Sequence, residues 1–433
     1  MARGEHGRPS PTAPRRLVIM AVALLACAAA VVCVVVSRGL TGSHASTSSS
    51  PESGEATVET VAVSSDGSPS LPFTVSGVTS PGAVVEVSEG AEAMSLKDSW
   101  TFGGDYSKIG SFPIAANTVF GSTTDDPDSL VSYVAALIGQ DSGTALEETQ
   151  DPTDFYEPQD GTGDASRIVW RSSRLGDSSA FGVDDWRIQT WDAETGETIV
   201  LGTAADLNGA GVTRTTYGEV VPTANATTAY FASNRVSGDS QETVVLSAPL
   251  DGSSSMSVLD VGSYPAAVDG GVLYATDLAS PDHLDSYATL RRATVDGALS
   301  DVLAVTSDDG TWGVSGVWAH DGFRAVAFTD GDSSSGTYVG LWADDFRTPL
   351  CWVHVASPTI VGSLNGEWFV WGSGSQSSDA GMYAYDWSSG CVAYLGSCAG
   401  YSRPAIASDS NVVMVPRSEG TDSAVSYEVG TLG

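Results

Sequence analysis

Six turns, each marked by Asn or Asp after a short extended run, constrain this chain more than anything else in it. Asn117 follows SFPIAA, Asn225 follows VVPTA, and Asp269 follows SYPAAV. Asp321 follows SGVWAH, Asn365 follows PTIVGSL, and Asp409 follows SRPAIAS. From Asn225 the steps are 44, 52, 44 and 44 residues, and the 108-residue gap before Asn225 fits one longer copy centred on Asp164. A period of about 40–50 residues made of short strands lies in the range of a propeller blade.

The runs after the turns are nearly continuous in apolar residues: Ile168-Val169-Trp170, Ala229-Tyr230-Phe231, Val272-Leu273-Tyr274, Ala325 to Phe328, Trp368 to Trp371 and Val412 to Val415. Such runs suit strands covered on both faces, as the middle strands of stacked blades are. Third and fourth runs follow, joined by turns such as Asp251-Gly252 and Asp296-Gly297, where positive φ is needed. The expected fold is all-β: a seven-bladed β-propeller over residues 93–433, with four antiparallel strands per blade. After Ala424–Val429 the chain ends, so the last unit lacks its outer strand, and the strand at about 93–102 is expected to supply it and close the ring.

The N-terminal part is different. Residues 17–36 (LVIMAVALLACAAAVVCVVV) carry no charge, and at about 1.5 Å per residue a helix of that length spans a bilayer core of about 30 Å. Arg15 and Arg16 precede it. The sequence therefore predicts a cytoplasmic basic tail (1–16), a single transmembrane helix (17–36) acting as a signal-anchor, and an extracytoplasmic body. A flexible Ser/Gly/Thr/Glu-rich spacer (37–70) and a stalk or hairpin (71–92) complete the order. Cleavage near Ala45 is the alternative to an anchor.

Charge narrows the partners. Beyond residue 38 there are 14 basic and 52 acidic residues, and Lys97 and Lys108 are the only lysines of the chain. Phosphate binding needs clustered Lys and Arg, so nucleic acid is excluded as a partner, and membrane contact is expected only through the N-terminal helix. Of five cysteines, Cys351, Cys391 and Cys398 lie in the body, without metal-ligand spacing; one disulfide among them or free thiols are both open.

Two units carry a finer pattern. Ile168–Gly176 (IVWRSSRLG) and Tyr230–Gly238 (YFASNRVSG) look like a repeat that runs aromatic, small, Ser, x, Arg, x, Gly, and WDAETG (191–196) and APLDG (248–252) fit its second half. This resembles the WD40-like repeat of TolB-type β-propellers. The resemblance implies the fold and an envelope setting. TolB-type proteins place an α/β domain before the propeller, for which Leu71–Gly110 is too short.

The hairpin loops between second and third strands, together with the loops linking blades, share one face, and loops on a rigid scaffold are where ligands bind. The candidate ligand face is Asp125, Asp126, Asp128, Arg171, Arg174, Asp177, Asn234, Arg235, Asp277, His283, Asp330 and Asp332, with Tyr217 and Trp312 from blade-linking loops. Asp330-Gly-Asp-Ser-Ser-Ser-Gly336 spaces oxygens like a calcium loop, but its glycine falls one place late and no glutamate follows at the required distance. No cofactor is expected beyond that hint of calcium. No G-x-S-x-G elbow occurs. The sequence reading is a membrane-anchored, non-catalytic binding or scaffold module for an envelope or surface protein, peptide or glycan. The alternatives are an envelope hydrolase or lyase using channel-facing carboxylates, or an accessory subunit of a membrane complex.

Overall fold

The computed structural model describes residues 71–433 apart from 79–82, 88–91, 127–132, 149–155, 176–183, 210–220, 238–239, 281–282, 333, 344, 374–380, 398–402 and 418–424. The tail, apolar run and spacer (1–70) lie outside the described residues. Among the described residues no helix is long and apolar enough to cross a membrane.

Four short strands come first: β1 (Thr74–Val75), β2 (Ala83–Glu86), β3 (Glu92–Ala93) and β4 (Lys97–Gly103). One sheet follows from β5 (Lys108–Ala115), β6 (Thr118–Thr123), β7 (Val134–Gly139) and β8 (Gly143–Ala145). The next holds β9 (Glu157–Gly163), β10 (Arg167–Leu175), β11 (Asp184–Asp192) and β12 (Thr198–Thr203), after which Thr203 caps the short helix α1 (Ala204–Asn208) through a reciprocal capping box with Asp206. A third holds β13 (Thr223–Ala224), β14 (Thr228–Ser237), β15 (Ser240–Pro249) and β16 (Ser257–Val261).

Then come β17 (Ser263–Val268), β18 (Gly271–Ser280), β19 (His283–Thr294) and β20 (Leu299–Thr306), followed by β21 (Gly313–His320), β22 (Phe323–Thr329), β23 (Thr337–Ala343) and β24 (Cys351–Val355). These two runs form one ten-stranded sheet with β1 and β2, and Tyr287 opposite Val314 is the pair that joins β19 to β21. Finally β25 (Ile360–Leu364), β26 (Trp368–Ser373), β27 (Met382–Asp386) and β28 (Val392–Gly396) take β3 as a fifth strand, and β29 (Ala405–Ile406), β30 (Val412–Arg417) and β31 (Ser426–Thr431) take β4 as a fourth.

The architecture is thus an all-β propeller of small antiparallel blades. Seven separate four-stranded sheets were expected; hydrogen bonding gives five sheets of four or five strands and one of ten, because a single residue pair merges two strand runs. The sequence expectation of an outer strand at about 93–102 corresponds to β4, whose Trp100 lies opposite Val429 on β31.

The core sits between neighbouring sheets. Phe120, Trp170, Phe231, Tyr274, Phe328 and Phe369 all lie on second strands and are fully buried, because both faces of those strands are covered. The hairpin asparagines explain the repeat. Asn365 accepts from the backbone N–H groups of Glu367 (2.9 Å) and Trp368 (2.8 Å), and donates to the carbonyls of Ala407 (3.2 Å) and Ser410 (2.9 Å) in the next sheet's hairpin. Asn225 makes the same turn contacts to Thr227 (3.1 Å) and Thr228 (3.0 Å) and reaches the carbonyls of Val268 and Gly271 within 3.5 Å. One amide both shapes a turn and clips adjacent blades together.

The expectation of a hairpin or stalk over 71–92 is corrected. Its strands pair with outer strands of three successive strand runs and not with each other: β1 with β20 antiparallel, β2 with β24 parallel, β3 with β28 parallel. Phe73 anchors this belt, its ring 5.0 Å from Trp312 and 5.1 Å from Phe328 by centroid. Two hairpin partners would leave these apolar side chains in water; wrapping the wheel buries them.

Candidate active site

The channel-side strand of the second sheet, β9, carries the sequence EPQDGTG. Its register against β10 slips between Trp170, opposite Gly161, and Ser172, opposite Pro158. Gln159 and Asp160 therefore face the single residue Arg171, as in a β-bulge, a device that re-aims a side chain. The result is an ion pair of Asp160 with Arg171 at 3.4 Å. The other oxygen of Asp160 pairs closely with Arg403, which comes from just before β29 in the last sheet. One carboxylate thus holds two guanidinium groups from two different sheets.

Glu157 begins β9, opposite Ser173. Its side chain is half-buried. Burial pushes its carboxyl up to about 7, with Arg171 pulling the other way. Ser173 is buried, and its hydroxyl has no hydrogen-bond partner among the described residues. Tyr133 borders the group: its hydroxyl donates to the Tyr106 carbonyl at 2.6 Å, and burial followed by the charge of Glu157 raises it to about 12. Burial also pulls the Arg403 guanidinium down to about 10, which leaves it charged at neutral pH.

A supporting network fixes the sheet behind this group. Glu147 accepts from Gln189 (3.1 Å) and lies 3.5 Å from Arg187, Gln189 accepts from Ser172 (2.9 Å), and Arg187 stands 4.5 Å over the Tyr156 ring. The Tyr156 hydroxyl donates to Asp185 at 3.0 Å. Chemically, a carboxyl that changes charge near neutral pH beside fixed guanidinium donors can take or give a proton to a bound substrate.

The structure distributes the predicted face. Arg171 belongs to the channel group. Arg235 instead grips Glu242 across its own hairpin (2.9 and 2.6 Å), and Asn234 is buried, accepting from Thr243 at 3.0 Å. Asp277, at φ 59°, lies 3.6 Å from Arg291. Asp330 and Asp332 accept from backbone N–H groups of their own loop, those of Asp332 (2.7 Å) and Ser334 (2.9 Å). Trp312 is not on a ligand surface but in the core against Phe73. Asp125 and Asp126 are exposed, and Arg174 is half-buried. Asp128, Asp177, Tyr217 and the side chain of His283 lie outside what is described. Among the described residues no group of three or more His, Cys, Asp or Glu could hold a metal ion. Cys351, buried, and Cys391, exposed, are free thiols, while Cys398 lies outside the described residues.

Glu157, Asp160 and Arg403 were absent from the sequence candidates, although the sequence held a signal for them. The residue before the first-strand proline is apolar or aromatic in Phe112-Pro113, Val221-Pro222 and Tyr264-Pro265. It is charged in Glu157-Pro158 and Arg403-Pro404.

No family model matches the chain, and no curated protein sequence matches it. Solved structures do. An oligogalacturonate lyase in complex with manganese matches with a TM-score of 0.50 at 12% identity, over 84% of this chain and 97% of that one. A puromycin-hydrolyzing peptidase of Mycobacterium tuberculosis matches at TM-score 0.43 and 15% identity, over 72% of this chain and 49% of that one, so the chain spans about half of that peptidase. The propeller domain of the Trilobed protease from Pyrococcus furiosus matches at TM-score 0.39 and 9% identity, over 65% and 84%. At such identities the likeness is one of fold. The sequence reading of a non-catalytic scaffold, which leans against an enzyme without excluding one, is corrected by the first of these matches, because the protein matched at TM-score 0.50 over 97% of its length is a lyase. What these comparisons establish for the chain is membership of the β-propeller fold.

Proposed function

We propose that this chain is an envelope hydrolase or lyase in which Glu157 transfers the proton and the Asp160–Arg171–Arg403 group positions the substrate in the channel. The observation that carries the reading is Glu157 itself, a channel-side carboxyl raised to about 7, where a general acid or base works best. The substrate is a glycan or peptide of the cell envelope. On this reading residues 17–36 anchor the protein in the cell membrane with residues 1–16 in the cytoplasm and the body outside, supported by the uncharged run behind Arg15 and Arg16. Counting the ten-stranded sheet as two blades gives seven, with β4 closing the ring. The TolB-type repeat at 168–176 and 230–252 supports an envelope setting.

The test is a screen of the full chain in detergent against glycoside, uronide and peptide substrates. The wild type should turn over one class, with an inflection near pH 7 in kcat/KM. Glu157→Gln should lower the rate by about 10²–10⁴-fold and remove that inflection. A Glu157→Gln protein with unchanged rate and pH profile would refute the assignment.

A further inference from the structure

Ser173, on β10, lies directly opposite Glu157 on β9. Opposed residues of an antiparallel pair send their side chains to one face, with Cβ atoms about 4.5–5.5 Å apart. A hydroxyl and a carboxyl at that spacing can share one small group between them. Ser173 is 2% exposed, and its Oγ has no hydrogen-bond partner among the described residues. The sister repeat fills the same place differently. Ser172-Ser173-Arg174 stands as far beyond the turn at Asp164 as Ser233-Asn234-Arg235 stands beyond the turn at Asn225. There Asn234, also buried, lies opposite Thr243 and accepts from its hydroxyl at 3.0 Å. In the second sheet the opposite residue is Trp186, whose indole N–H goes to Ser233 of the third sheet at 2.8 Å. Ser173 is therefore a local departure from the repeat, and such departures concentrate at functional sites. A buried hydroxyl left without a bond costs about 1–3 kcal/mol, which a bound molecule can return.

We propose that Ser173 and Glu157 together hold a nucleophilic water, with Ser173 as a positioning residue, so that the site hydrolyses an acyl bond, an amide or ester. This rests on the reading of Glu157 as the proton-transfer group. A hydroxyl so deeply buried admits a single water and not a segment of substrate. One O–H of the water donates to the ionised Glu157 carboxylate and the other to Ser173 Oγ, which leaves a lone pair to aim at the substrate. The water oxygen bonds to the carbonyl carbon while one of its protons passes to Glu157, and the C=O electron pair moves onto oxygen. As the carbonyl re-forms, the bond to the leaving nitrogen or oxygen breaks, and Glu157 returns the proton to that atom. One carboxyl suffices for this sequence. Inverting hydrolysis of a glycoside needs a second carboxyl as acid, and Asp160 is already held by Arg171 and Arg403. Elimination needs the carboxylate to reach a C–H, for which a hydroxyl beside it has no use.

The experiment uses the full chain in detergent with peptide p-nitroanilides, p-nitrophenyl esters, p-nitrophenyl glycosides and a polyuronide as probes. An amide or ester probe should be cleaved, and in ¹⁸O-water the label should appear in the released carboxylate. Ser173→Ala should lower kcat at least about tenfold with KM within about twofold, and Ser173→Thr, which keeps the hydroxyl, should retain most of the rate. Crystals at pH 8 should show an ordered solvent oxygen within about 2.6–3.2 Å of both Ser173 Oγ and the Glu157 carboxylate. A Ser173→Ala rate equal to wild type while Glu157→Gln is inactive overturns the proposal and leaves the reading of Glu157 standing. Glu157→Gln at the wild-type rate overturns both. Turnover of glycoside or uronide alone, or an unsaturated product, also overturns the acyl assignment. The crystals decide the water site even where no probe is cleaved: a Ser173 Oγ bonded elsewhere overturns it.

Discussion

Removing the amide of Asn365 tests whether the hairpin asparagine holds adjacent blades together. The side chain is 3% exposed and makes four hydrogen bonds, two within its own turn and two to the carbonyls of the next. In Asn365→Ala all four are lost. Water can reach Glu367, which is exposed, but Trp368 and Ala407 are buried, so one N–H and one C=O stay unsatisfied. At roughly 1–3 kcal/mol for each such group the cost is about 3 kcal/mol, or about 4 °C in Tm for a body of this size. Asn365→Asp separates the two halves of the role. It keeps both acceptor bonds but aims a carboxylate at two carbonyl oxygens, so at pH 7 it should be more damaging than alanine. Below the carboxyl pKa a protonated oxygen can donate once, and part of the loss should return. Thermal and urea midpoints of both variants at pH 7 and pH 4 supply the assay. An Asn365→Ala midpoint within about 0.5 kcal/mol of wild type would refute the reasoning. Aspartate equal to alanine at pH 7 would refute the blade-clip half of it.

Other expectations follow from single environments. Phe73→Ala empties a site walled by Trp312, Phe328, Tyr338 and Trp352, a change worth about 3–5 kcal/mol in a rigid core. Because the belt can peel off locally, its main effect should be faster amide exchange at Ser76, which bonds the Ala304 carbonyl, and unchanged exchange there would count against the anchor role. Glu157 has a folded pKa raised above its unfolded value by desolvation, so between about pH 4.5 and 7 the folded state binds more protons and stability falls as pH rises. Glu157→Gln should therefore raise Tm relative to wild type at pH 8 and leave it unchanged at pH 4; the opposite sign would show that the charged form is favoured in place. Burial pushes the Cys351 thiol up to about 11, while Cys391 is exposed. Alkylation mapped by mass spectrometry should modify Cys391 in the native protein and Cys351 only after unfolding.

Much of the fold was legible because its cause is local and repeated. A strand buried on both faces must be apolar throughout, so Trp368 to Trp371 or Val412 to Val415 disclose a middle strand without any partner in view. The turn asparagines were visible for the same reason, though their reach to the next blade was not. What stayed hidden depends on register across sheets. Whether Tyr287 meets Val314, and so merges two strand runs, is decided by a one-pair approach that no periodicity encodes. The belt was misread as a hairpin because short Val-rich runs around Ser80-Pro81-Gly82 fit either partner. The loop face drew attention through its many carboxylates, yet Asp330 and Asp332 cap their own loop and Arg235 binds its own hairpin. A single charge at a position that is apolar in sister repeats is the sequence signal that Glu157 and Arg403 carry.

That pairing has a consequence for how the site is assembled. Glu157 and Asp160 lie on the second sheet, but Arg403 belongs to the last, whose fourth strand is β4 from the N-terminal part of the chain. The guanidinium reaches Asp160 only when the last sheet stands beside the first, and that sheet is complete only when β4 pairs with β31. The contacts involved span more than 240 residues in sequence, so their loop-closure entropy makes them late to form. An incomplete ring therefore keeps Asp160 with Arg171 alone, and on the proposed reading it would also open Glu157 to solvent and weaken the desolvation that raises its pKa. The proton-transfer role proposed for Glu157 would in this sense depend on ring closure. A substitution that weakens β4 against β31, at Trp100 or Val429 for example, should lower the Glu157 pKa toward the ordinary carboxyl range before it unfolds the rest of the wheel.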